Sequence, residues 1–95
     1  MVRDDLPRPH QTVQACHAAI SATHAFGGPY NPHLVLCTSP SEEALNDLFN
    51  RLKEQGVPCC AYYEPDFAGN QLTAIATAAL QGGERKLLRR LPMLK

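Results

Sequence analysis

The chain has 95 residues, 44% of them hydrophobic, and its nine lysines and arginines balance nine aspartates and glutamates. That length and composition suit one packed domain, expected to span residues 1–95. A net charge of zero excludes a protein that coats nucleic acid by bulk electrostatics, although a local basic patch is still compatible with it.

No apolar run approaches the roughly 20 residues of a membrane helix, and no charged-then-apolar leader opens the chain. A soluble, cytoplasmic protein with no membrane association is therefore expected. The four cysteines, Cys16, Cys37, Cys59 and Cys60, read as reduced thiols, mostly buried as small hydrophobes. Cys59 and Cys60 are adjacent, so in a strand they point to opposite faces. No C-x-x-C or H-x-x-x-H spacing occurs, and neither a metal nor another cofactor is expected.

Residues 1–5, MVRDD, read as the end of a strand. LPRP breaks it, because closely spaced prolines fix φ and stop a ladder or a helix. Over residues 11–25 the pattern is helical. Val13, Cys16 and Ile20 fall at i, i+3 and i+7 as the apolar stripe expected to face the sheet, with alanines on its flanks. FGGPYNP ends that helix. HLVLCT (33–38) shows little polar alternation, as expected of a strand buried on both faces.

In SPSEEALNDLFNRLKEQG, Ser39 reads as the N-cap, Pro40 as the first helical residue and Glu42 as the partner in a capping box. Leu45, Leu48, Phe49 and Leu52 make the apolar face, and Gly56 supplies the stop. VPCCAYY (57–63) and QLTAIAT (71–77) read as strands joined by the loop EPDFAGN. After Gly82 and Gly83, ERKLLRRL (84–91) reads as a short last helix closed by Pro92.

The order β-α-β-α-β-β-α predicts an α/β fold: a small mixed four-stranded sheet with helices packed on its faces. Residues 34–62 should form a βαβ unit with parallel strands and a right-handed crossover. The last two strands should pair as antiparallel neighbours.

Three groups of residues carry chemistry. His10, Gln14, His17, Ser21 and His24 fall at i, i+4, i+7, i+11 and i+14, one polar stripe without lysine, glutamate or arginine. A solvated helix face accounts for such a stripe, and so does the wall of a site beginning at a helix N-terminus, where the dipole favours a negative oxygen. In the loop between the last strands, Asp66 is placed either to act as a general base for water or to cap its own turn. Glu64, standing before Pro65, reads as an extended surface residue. Arg85, Lys86, Arg89 and Arg90 crowd one side of the last helix, with Arg3 and Arg8 near the other terminus. Such cations either bind phosphates or complement their own helix dipole.

Taken in order, VRDDL, QTVQACHAAI, the capped helix and DFAGNQLTAIAT resemble the type 2 peptidyl-tRNA hydrolase family across nearly the whole chain. In that family a helix bears a G-K-x-x-x-Q-x-x-H-A-A-like motif, and a D-A-G-x-T-Q-like loop leads into a late strand. Gln14 matches the helix glutamine, His17-Ala18-Ala19 a small-residue packing triplet, Asp66 the loop aspartate and Thr73 a threonine of the strand. His10 stands where the family has lysine.

The resemblance implies hydrolysis of the ester between a peptide and the terminal ribose of tRNA, without a metal. Asp66 would be the base or water-orienting group, His10 and Gln14 would polarise the carbonyl or hold the ribose end, and Thr73 would be a supporting donor. Arg3, Arg8, Arg85, Lys86 and Arg89 would meet tRNA phosphates. The expected partner is peptidyl-tRNA, and the chain is compatible with a monomer or a homodimer. The histidine at position 10 and the neutral charge point to an alternative, a non-catalytic RNA- or protein-binding module that keeps the fold. A thiol-dependent function at Cys59 or Cys60 is a weaker third reading.

Overall fold

A two-residue strand, β1 (Val2–Arg3), lies inside the sheet rather than at its edge. The structure, a computed structural model, describes residues 1–28, 35–65, 70–80 and 88. After β1 come α1 (Arg8–Phe26), β2 (Thr38–Ser39), α2 (Glu42–Glu54), β3 (Cys59–Glu64) and β4 (Gln71–Thr77). The strands form one mixed four-stranded sheet in the order β2-β1-β4-β3. Strand β1 runs parallel to β2 (Val2 opposite Thr38) and antiparallel to β4 (Val2 opposite Ala74), and β4 runs antiparallel to β3. The fold is α/β, as the element pattern predicts.

The two helices pack against separate sets of side chains. Leu45, Leu48 and Leu52 of α2 cluster with Val57, Leu72 and Ile75, joined by the half-buried Phe49 and Cys59. On the α1 side, Val2, Ala18 and Ala74 form a smaller cluster with Ala15, Leu36 and Tyr62. Strand β4 is central and buried from both sides, which is why Leu72, Ala74 and Ile75 run together as an apolar stretch. Cys59 packs into the α2 cluster, while the Cys60 thiol lies 3.7 Å from the Ala18 carbonyl on the α1 side. Adjacent positions thus take opposite faces of the strand. All four cysteines are free thiols, with Cys37 buried, Cys59 and Cys60 half-buried and Cys16 exposed.

Several local expectations are corrected. The helix α2 is capped by Ser41, whose Oγ accepts from the Ala44 amide at 3.1 Å, and not by Ser39, which pairs with Arg3 in the sheet. The cap moves because β1 needs a parallel partner, and Thr38–Ser39 provides it. Only those two residues form β2; Val35 is exposed, while Leu36 packs against the α1-side cluster and Cys37 is buried, so among the described residues burial begins at Leu36. Strands β2 and β3 do run parallel, but β1 and β4 lie between them; the adjacent parallel pair is β1 and β2, connected through α1. The expected last helix, 84–91, falls outside the described residues except for Leu88.

Helix α1 is rotated relative to its apolar stripe. Val13 and Ile20 are 50% and 67% exposed, and Cys16 is exposed, whereas Gln11, Gln14, Ala18 and Ala22 face inward. The alanines let the helix approach the sheet closely, and the buried amides are hydrogen-bonded internally, Gln14 through both oxygen and nitrogen and Gln11 through its nitrogen alone. Gln11 Nε2 donates to the carbonyls of Leu6 at 2.7 Å and Asp4 at 3.3 Å, tying the start of the helix to the end of β1.

Because β1 ends at Arg3, β4 lacks a strand partner at Leu72 on the side away from β3, and side chains take its place. The Leu72 amide donates to Glu42 Oε2 at 2.7 Å, and its carbonyl accepts from the Arg3 guanidinium at 3.1 Å. Arg3 also bonds Gln71 Oε1 and, through two nitrogens, both carboxylate oxygens of Asp5. The pairing raises the arginine pKa and lowers that of Asp5.

Candidate functional site

Between α1 and the β3–β4 hairpin lies a chain of three buried polar side chains. Thr73 Oγ donates to Gln14 Oε1 at 2.8 Å, and Gln14 Nε2 donates to Glu64 Oε2 at 3.0 Å. Thr73 is fully buried, Gln14 is 4% exposed and Glu64 8%. The amide nitrogen of Gln14 faces Glu64 and its oxygen faces Thr73, which matches a donor to the carboxylate oxygen and an acceptor to the hydroxyl. Each member thereby orients the next.

An irregularity in the sheet puts Thr73 in this position. Tyr62 pairs with Ala74 and Tyr63 with Leu72, which leaves Thr73 as an extra residue on β4. Such a bulge re-aims a side chain. Leu72 and Ile75 point to the α2 side, while Thr73 and Ala74 both serve the α1 side. Glu64 is the last residue of β3 and pairs with Gln71, so the carboxylate sits at the end of the strand, two positions before Asp66 in the sequence.

Of the residues expected from sequence, the structure brings Gln14 and Thr73 together. His10, one turn before Gln14, is exposed near the start of α1. That end of the helix has Pro7 as its N-cap and no side-chain cap. Arg8 is exposed beside it. Arg3 is instead 8% exposed and engaged with Asp5, Gln71 and Leu72, which makes it a brace of the sheet rather than a cation offered to a phosphate. Asp66, Arg85, Lys86, Arg89 and Arg90 lie outside the described residues.

The reading of Glu64 as a surface residue is overturned: it is buried and hydrogen-bonded to Gln14. A signal for this exists in the pattern. Pro65 keeps the preceding residue extended, so β3 continues to Glu64, and period-2 alternation then puts Glu64 on the same face as Tyr62.

The rest of the polar stripe on α1 lies along the same flank. His17 stacks on Tyr62 with ring centroids 4.6 Å apart and planes 6° apart, and Ser21 is half-buried. The neighbouring Cys60 thiol has its pKa raised by burial, which disfavours a reactive thiolate. On the opposite face, a shallow depression of ≈ 330 Å³ is lined by Glu42, Glu43, Asn46, Tyr63 and Leu72. The Glu42 carboxylate there already holds the Leu72 amide. Among the described residues, no three His, Cys, Asp or Glu side chains gather into a metal-binding group, and no helix is long and apolar enough to cross a membrane.

Neither a protein-family model nor a curated protein matches this chain.

Proposed function

We propose that the protein hydrolyses the ester joining a peptide to the terminal ribose of tRNA, in the cytoplasm and without a cofactor. The observation that carries this reading is the Thr73–Gln14–Glu64 chain, which fixes a buried carboxylate at the mouth of the β3–β4 loop. An ester asks little of its catalyst: a positioned water, a base and a donor for the oxyanion. In this reading the water oxygen attacks the carbonyl carbon while its proton passes to a carboxylate. The bond to the ribose oxygen then breaks, and the proton is delivered to that oxygen, leaving a free ribose hydroxyl and a peptide acid.

Glu64 takes the role of the water-orienting carboxylate, with Asp66 as the competing candidate two residues further on. Gln14 and Thr73 are positioning residues: Thr73 orients Gln14, and Gln14 holds the Glu64 carboxylate. His10, exposed one turn from Gln14, supplies the donor for the carbonyl oxygen. Arg8, with Arg85, Lys86 and Arg89, meets the phosphates.

A second reading, a binding module that has kept the fold without the chemistry, is favoured by one observation: Gln14 directs its amide inward and presents almost no surface. A peptidyl-tRNA hydrolysis assay separates the two. Turnover that falls in Glu64→Gln but survives in Asp66→Asn supports the assignment to Glu64, and the reverse result returns the role to Asp66. No turnover in the wild type, and none gained in His10→Lys, favours the binding module.

A further inference from the structure

One face of the His17 imidazole is covered by the Tyr62 ring, at 4.6 Å and 6°, yet His17 is an exposed residue. With that face covered, the exposed surface of His17 comes from its ring edge and the face turned away from Tyr62. Val13 and Ile20, at i−4 and i+3 from His17 on the surface of α1, are themselves exposed. The result is a flat aromatic surface with an apolar border, open on its outer side, which suits a second flat ring. Tyr62 and Glu64 share the α1 face of β3, two residues and so about 7 Å apart along the strand. His17 lies one turn beyond Gln14. The stack and the held carboxylate thus lie against the same α1 face of β3.

We propose that His17, backed by Tyr62, is a stacking platform for the terminal base of a nucleic-acid-linked substrate whose ester is held at Glu64. The identity of the substrate rests on the hydrolase reading, whereas the platform does not. Stacking tolerates any base, because every base presents a π-face. Affinity at this platform should therefore follow the plane of residue 17 more than its polarity.

The test uses the full chain and the trinucleotide CCA, the common 3′ end of tRNA, which carries no ester and cannot be turned over. Its addition should move the His17 ring-proton resonances upfield and saturably. His17→Ala should weaken binding about tenfold, and His17→Phe, which keeps the plane, should stay within about threefold of the wild type. A CCA analogue with an abasic last residue should show the same tenfold loss on the wild type and no further loss on His17→Ala. Stationary His17 resonances, or equal affinity in wild type and His17→Ala, overturn the platform. Binding at His17 by a chain that does not hydrolyse peptidyl-tRNA preserves the platform and removes the hydrolase. Hydrolysis that is indifferent to His17→Ala, with no response to CCA, does the opposite.

Discussion

Replacing Thr73 by valine keeps the side-chain shape and removes one hydroxyl from a fully buried position. The 2.8 Å bond to Gln14 Oε1 disappears, and the amide oxygen is left in a site that water does not reach. A buried acceptor stripped of its donor costs about 1–3 kcal/mol, so a loss near 2 kcal/mol is expected. In a domain of this size that corresponds to about 8–16 °C in Tm. Gln14→Ala removes both bonds, including the one to the Glu64 carboxylate, and should cost about 3–4 kcal/mol. The Thr73 hydroxyl then has the Tyr62 carbonyl, at 3.3 Å, to fall back on. In the double mutant the orphaned oxygen no longer exists, so the two losses should not add. Urea denaturation of the four proteins should give a coupling of about 1–2 kcal/mol. Additivity within about 0.3 kcal/mol would refute the hydrogen-bonded chain.

Other consequences follow from the fold. Ala18→Leu, on the inward side of α1, should cost about 1–3 kcal/mol by overpacking, whereas Ile20→Lys should change stability by less than about 0.5 kcal/mol; the opposite ranking in thermal melts would restore the apolar stripe as the buried face. Glu42→Ala should cost about 2 kcal/mol and speed hydrogen exchange at the Leu72 amide, and Glu42→Gln, which keeps an acceptor, should do both to a lesser degree. The Met1 ammonium donates to the Ile75 carbonyl at 2.7 Å, and burial lowers its pKa from 8.0 to about 6. Between those values the unfolded chain binds more protons, so stability should rise with pH by at most about 2–3 kcal/mol. Denaturation of an Nα-acetylated chain should lack that rise, and an identical slope in both chains would contradict the burial of the amine.

What the sequence makes legible follows the hydrophobic effect. In α2 the apolar residues repeat at helical spacing and are the ones buried, so helix, face and packing partner all agree. The antiparallel pairing of β3 and β4 is equally readable, because two short β-rich runs follow one another closely in the sequence. Helix α1 is not readable in this way. Its inward face is built from glutamine and alanine, and its exposed face carries valine and isoleucine. Burial of Gln14 there is favourable only because partners on β3 and β4, distant in sequence, satisfy its amide. Residue spacing cannot encode that complementarity.

The same limit applies to the site. The resemblance singles out Gln14 and Thr73, and Pro65 with strand alternation gives the face of Glu64, but the hydrogen-bonded chain joining the three depends on the register of the hairpin and the extra residue at Thr73. The shift of the α2 cap from Ser39 to Ser41 has a similar origin: two serines flank Pro40, and strand pairing with β1 decides between them.

The central claim is that a carboxylate held by Gln14 and Thr73 works on the ester of peptidyl-tRNA. Its most direct test is single-turnover hydrolysis of peptidyl-tRNA by the wild type and by Glu64→Gln, with circular dichroism to verify that both are folded. The substituted amide still offers Gln14 an acceptor, so the domain should stay intact while hydrolysis slows by about 10²- to 10⁴-fold, as for loss of a general base. Equal rates in the two proteins would contradict the claim.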